Sequence, residues 1–134
     1  MTTLIKDTPR DYDLGDINEF PMTASSLIYE GAAVGLHTTG YARPLVAGDT
    51  FVGFAIVPVD NRLGAAGDLR IRVKSVGKVK LPIDAISLAD VGKPVYASDD
   101  DTFTLTSEKN SLIGRVYRVE AVGTAIVAFN PNLI

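Results

Sequence analysis

Leu69-Arg70-Ile71-Arg72-Val73-Lys74, followed after Ser75-Val76-Gly77 by Lys78-Val79-Lys80-Leu81, is the most regular stretch of the chain. Apolar and basic residues alternate through both halves. Successive side chains of a strand point to opposite faces, so this pattern predicts a half-buried β-ribbon. Leu69, Ile71, Val73, Val79 and Leu81 face inward on this reading. Arg70, Arg72, Lys74, Lys78 and Lys80 form a basic outer face.

Short strands and turns extend in both directions from the ribbon. Upstream, residues 58–68 hold Pro58, Asp60-Asn61, Gly64 and Gly67-Asp68 and read as a loop. Before them Phe51-Val52-Gly53-Phe54-Ala55-Ile56-Val57 is apolar throughout, which predicts a strand buried on both faces. Gly53 within it marks a bulge or a close backbone approach. Ala33–Leu36 and Tyr41–Pro44 flank the turn His37-Thr38-Thr39-Gly40 as a hairpin, and Ser26–Tyr29 reads as an earlier strand. Downstream, Asp84 is expected to cap a short helix over Ala85–Ala89 that Gly92 ends. Pro94–Ala97, Thr102–Thr106, Leu112–Val119 and Ala125–Phe129 read as further strands. The expected fold is all-β: a compact antiparallel β-barrel or sandwich, with at most one short helix.

Residues 1–25 differ from this body, taken as residues 26–134. They have no sustained period, and Pro9 and Pro21 interrupt them. Tyr12, Leu14, Ile17, Phe20 and Met22 are scattered among polar residues, which a purely solvated tail would not need. The expectation is an extended arm docked on its own body or on a neighbour, with Tyr12, Leu14, Ile17 and Phe20 as its protein-binding residues. Its removal is expected to leave the body folded. The arm is also acidic: within residues 1–30, Asp7, Asp11, Asp13, Asp16, Glu19 and Glu30 oppose only Lys6 and Arg10. Arg70, Arg72, Lys74, Lys78 and Lys80 are read as a docking face for an acidic protein surface, one candidate being the arm of a neighbouring copy. A solvated strand face that discourages edge-to-edge pairing explains the same residues equally well.

The 134 residues are 46% hydrophobic and 22% charged, which suits one domain with a core of its own. No apolar run is long enough to span a membrane, and the first residues lack an apolar signal core. The chain has no cysteine, which removes thiol nucleophiles, disulfides and thiolate metal sites together. Its single histidine, His37, lies in a polar turn, and a zinc site built on several imidazoles is impossible within one chain. No nucleophile elbow and no phosphate-binding glycine loop is present. Asp99-Asp100-Asp101 reads as a solvated turn rather than a cation loop. No catalytic residue, metal ligand or cofactor is expected, and the chain is read as a binding protein rather than an enzyme. An acidic arm on a near-neutral body also lacks the basic footprint of a nucleic-acid binder.

Several stretches together resemble a family of tailed-bacteriophage capsid cement, or head decoration, proteins. They are Ile28-Tyr29-Glu30-Gly31-Ala32, Gly40-Tyr41-Ala42, Ala47-Gly48-Asp49-x-Phe51-Val52-Gly53, Asp60-Asn61 and Gly67-Asp68-Leu69-Arg70-Ile71-Arg72. The later runs Asp90–Asp100 and Asn110–Val116 are similar too, and the likeness covers roughly residues 27–129. Each piece is weak alone; their order carries the resemblance. It implies a small β-barrel or β-tulip on the outside of an expanded icosahedral head. Such a protein bridges major capsid protein subunits against the pressure of packaged DNA, commonly as a trimer. It further implies a virion protein made in the host cytoplasm, with no membrane or direct nucleic-acid partner. A host- or carbohydrate-binding β-module on a virion is the alternative, with Tyr29, Tyr41, Tyr96 and Tyr117 as a possible platform.

Overall fold

The computed structural model describes residues 5–7, 9–10 and 15–131. The chain divides into two consecutive halves, each building one five-stranded sheet. In the first half, β1 (Ile17–Pro21), β3 (Ala33–Leu36), β4 (Ala42–Pro44), β5 (Thr50–Ala55) and β7 (Arg70–Lys74) lie in the order β1-β7-β5-β3-β4. β2 (Ser26–Ile28) and β6 (Val59–Asn61) make a separate two-stranded ribbon. In the second half, β8 (Gly77–Pro82), β9 (Pro94–Ala97), β10 (Phe103–Thr104), β11 (Ser111–Ala121) and β12 (Thr124–Phe129) lie in the order β10-β9-β11-β12-β8. Every named strand pair is antiparallel.

The all-β expectation holds. Regular pairing does not close either sheet into a barrel, so the molecule is two open, curled sheets packed together. The curl brings the edges of each sheet together at one point. Met22, just past β1, bridges Ala42 of β4 in the first sheet, and Ile83, just past β8, bridges Phe103 of β10 in the second. A third bridge, Val46 to Asp99, ties one half to the other.

The alternating stretch at 69–81 is two strands in different sheets. β7 belongs to the first and β8 to the second, and the chain crosses at Ser75–Val76. Ser75 is buried there and fully used. Its hydroxyl donates to the Val52 carbonyl at 2.8 Å and accepts from the Asn18 side chain at 3.0 Å. Ile71, Val73 and Leu81 are buried as the period requires, whereas Leu69 lies before the strand and is exposed.

Two apolar clusters hold the fold. The larger lies between the sheets and joins Phe51 and Phe54 of β5 to Val95, Phe103, Ile113, Val116, Val127 and Phe129 of the second half. The ring centroids of Phe54 and Phe129 are 5.1 Å apart, edge to face, and Phe51 and Phe54 are 5.3 Å apart. Such contacts each add about 0.5–1.5 kcal/mol beyond the area they bury. The smaller cluster gathers Met22, Ile28, Val34, Val52, Ala55, Ile71 and Val73, with Phe20 and Val59 packed against it.

β5 serves both clusters because its pleat is interrupted. The register against β3 slips between Val34 and Gly35, where Gly53 and Phe51 stand opposite. The extra residue lets Phe51 and Phe54 share the inter-sheet side although they are three apart. Gly53 has φ +141°, and a Cβ there would strike the Lys74 carbonyl on β7. Both halves of the expectation for Gly53, bulge and close approach, are met.

Two local expectations fail. No helix forms over Ala85–Ala89. Ala85 takes φ +59°, Ile86 turns into the core, and a single 3-10 turn follows at Leu88–Asp90. Ser87, not Asp84, caps that turn: its backbone N–H and hydroxyl both donate to the Asp90 carboxylate, at 2.9 and 3.3 Å. The loop expected over 58–68 contains β6. Buried Asn61 organises the rest, donating to the carbonyls of Thr23 and Ala65 at 2.9 and 3.2 Å.

Candidate protein-docking surfaces

The expected arm divides. Tyr12 and Leu14 lie outside the described residues. Ile17 and Phe20 sit on β1, which pairs with β7 over all five of its residues, Ile17 with Lys74 through to Pro21 with Arg70. The second half of the segment is therefore an edge strand of the chain's own sheet. Phe20 packs on the smaller core and Met22 is fully buried, so these two are core residues rather than docking residues. Ile17 stays exposed beside Lys74.

The same pairing accounts for part of the basic face. Glu19 stands opposite Arg72, and its two carboxylate oxygens lie 3.7 Å from the Nε atoms of Arg70 and Arg72. Asp16 Oδ2 is 3.8 Å from Lys74 Nζ. Acids of the same chain thus sit against Arg70, Arg72 and Lys74, where the sequence suggested a neighbour's arm. These pairs are long and about half exposed, so each contributes at most about 1 kcal/mol and is screened by salt. Lys78 and Lys80 project from the second sheet instead. Lys78 Nζ lies over the Tyr117 ring, 3.9 Å from its centroid. The five basic residues do not form one continuous face.

The best-defined ion pair was not singled out from the sequence. Arg43 Nε and Nη2 donate to Asp49 Oδ2 and Oδ1 at 2.9 and 2.8 Å, and the Asp49 side chain is only 8% exposed. Asp49 also accepts the Val46 backbone N–H at 3.0 Å. The hydrogen-bonded carboxylate raises the Arg43 guanidinium above its ordinary pKa despite its burial. This fork fixes the turn between β4 and β5. Gly48-Asp49 in the sequence was its trace.

Other polar groups are dispersed. His37 Nδ1 accepts the Thr39 backbone N–H at 3.3 Å, within a shallow depression of about 400 Å³ that Thr23, Tyr41 and Arg43 also line. Asp99 closes its own turn by accepting the Asp101 backbone N–H at 2.8 Å and the Thr102 hydroxyl at 3.0 Å. Burial, then the charges of Asp99 and Asp101, raise the Asp100 carboxyl above its ordinary pKa. Among the described residues no three acids, histidines or cysteines are grouped to hold a metal. Three of the four tyrosines have different surroundings: Tyr41 lines the depression beside His37, Tyr117 lies under Lys78, and Tyr29 borders a groove with Asp100.

The surface feature missed in the sequence is a set of exposed apolar side chains at loop ends. Leu63 in the loop after β6 is wholly exposed, Leu88 on the 3-10 turn is 78% exposed, and Val122 at the β11–β12 hairpin tip is 93% exposed. Leu88 and Val122 flank an apolar groove of about 560 Å³ that Ile86, Ala89, Val119 and Ala121 also line. The signal available was Val122 before Gly123 at the tip of a hairpin, where Asn or Asp is the usual choice. No known protein family matches the chain, and no curated protein matches it either. No helix among the described residues is long and apolar enough to cross a membrane.

Proposed function

We propose that the chain is a structural capsid cement protein. On this reading it binds the outside of an expanded phage head, bridges major capsid protein subunits and stabilises the shell against packaged DNA. It works as a homo-oligomer on the virion surface and uses no cofactor. The observation that supports the reading is the placement of Leu63, Leu88 and Val122 on three separate loops. Large apolar side chains at several loop ends suit many small contacts with a protein array, where avidity replaces one tight site. The motifs behind the resemblance lie where the fold is set: the Gly48-Asp49 turn, the Gly53 bulge, and Asn61 with Gly67-Asp68 in the β6–β7 loop.

The test is cosedimentation of the purified protein with expanded and unexpanded head shells. Pelleting with expanded shells alone is the expected result. Indifference to both overturns the proposal. A polar ligand-binding module is the second reading, favoured by the depression that gathers Thr23, His37, Thr39, Tyr41 and Arg43. A glycan screen comparing wild type with Tyr41→Ala tests it; a hit lost on substitution would establish that reading.

A further inference from the structure

We propose that the outer face of the second sheet is a docking site for an extended acidic segment of another protein. Register builds this face. β12 lies between β8 and β11, and its Ala128 stands level with Lys78 on one side and Arg115 on the other. Its Ile126 stands level with Lys80 and Arg118. Arg115 and Arg118 are three apart and would point to opposite faces of a regular strand. The β11 register slips between Val116 and Arg118, and the extra residue, Tyr117, leaves both arginines outside while Val116 and Val119 turn to the core. The four cations thus stem from two rows, roughly 7 Å apart along the strands, with about 10 Å between the flanking strands across β12.

The centre of the face is apolar. Lys78 reaches across β12 to set its Nζ over the Tyr117 ring, 3.9 Å from the centroid. Ile126 joins neither core cluster, yet it is only 8% exposed. The methylene stems of long cationic side chains cover apolar surface in this way.

The cations here are left uncompensated. The chain holds 16 acids against 13 lysines and arginines, and the first sheet uses its acids: Arg43 has Asp49, Arg70 and Arg72 share Glu19, and Lys74 has Asp16. On the second sheet Arg118 has Glu120 at 3.0 Å. Among the described residues no acid lies within ion-pair distance of Lys78, Lys80 or Arg115. Arg115 donates to the Gly92 carbonyl at 3.2 Å, which orients its guanidinium without cancelling its charge. Like charges gathered on one sheet face repel, and incoming carboxylates relieve that repulsion. Lysines that discourage edge-to-edge pairing account for β8 alone; β11 is the middle strand of its sheet and has no edge to protect.

The spacing selects the partner. An extended peptide carries alternate side chains about 7 Å apart on one side, the separation of the two rows, so acids two residues apart meet one row each. Nucleic acid fits less well. The chain's −3 charge repels phosphates, and the Tyr117 ring that a base would stack on already carries Lys78.

The proposal holds whichever protein supplies the segment, so it stands apart from the shell reading. Amide chemical-shift mapping with the synthetic peptide Glu-Val-Glu-Val-Glu tests it. Binding should saturate with a Kd below about 1 mM at low salt and weaken about tenfold in roughly 0.5 M salt, with the largest shifts at Lys78, Lys80, Arg115 and Ile126. Lys80→Glu should weaken it at least about fivefold. Lys109→Glu, an equal charge change on the exposed loop before β11, should leave it within about twofold, with all three proteins giving the same circular dichroism. No saturable shift, or equal losses in the two variants, overturns the proposal. Decathymidylate binding this face more tightly than the peptide overturns it in favour of a nucleic acid.

Discussion

Gly53 holds a backbone geometry that no other residue adopts without cost. Its φ of +141° and the Lys74 carbonyl beside its α-carbon leave no room for a methyl group. Gly53→Ala is expected to destabilise the fold by about 3 kcal/mol, read from urea unfolding, by separating β5 from β7. Asp100 makes an opposite prediction. Its carboxyl is raised above the ordinary value, chiefly by burial, so the folded chain holds that proton more tightly than the unfolded chain. Its contribution is therefore fully present at low pH and is lost as pH rises through the folded pKa. Asp100→Asn should melt higher than wild type at neutral pH, with the difference gone below about pH 3. A lower melting temperature at neutral pH would show that the charged form is favoured after all.

At the scale of elements, β1 decides what can be removed. Deleting residues 1–25 takes away β1, Phe20 and the fully buried Met22, and should unfold the first sheet, contrary to the simple arm expectation. Loss of Met22 alone is worth about 2–5 kcal/mol. Glu19→Gln tests the pairing with Arg70 and Arg72 and should cost under about 1 kcal/mol, less in high salt. β1 was hidden in the sequence because its inward side chains include the polar Asn18, which bonds the Ser75 hydroxyl, beside the apolar Phe20, so no apolar alternation marks it. β6 was hidden because Val59-Asp60-Asn61 is short and polar and is held through the Asn61 side chain. The strands at 70–74 and 77–82 were legible because their alternation is strict. Their assignment to different sheets was not, since period two says nothing about partners. The basic residues were legible in the same way, while Glu19, which faces two of them, stands about fifty positions away in the chain.

Across the whole molecule, the phenylalanine cluster makes the two sheets one cooperative unit. Phe54 meets Phe51 from its own sheet and Phe103 and Phe129 from the other. Phe54→Ala is expected to cost about 3–5 kcal/mol and to lower both sheets' stability together. Circular dichroism and tyrosine fluorescence should then still give one coincident transition. Separate transitions would mean that the sheets stand independently.

The division of the chain at Ser75–Val76 has a consequence for how the protein is born. Every strand of the first sheet precedes that point, so a complete sheet leaves the ribosome before the strands of its companion do. At about 5–20 residues per second, Phe51 and Phe54 wait several seconds with their faces uncovered. The nascent chain is most exposed to sticking in that interval, and substitutions that slow docking of the second half should lower yield without changing the finished molecule.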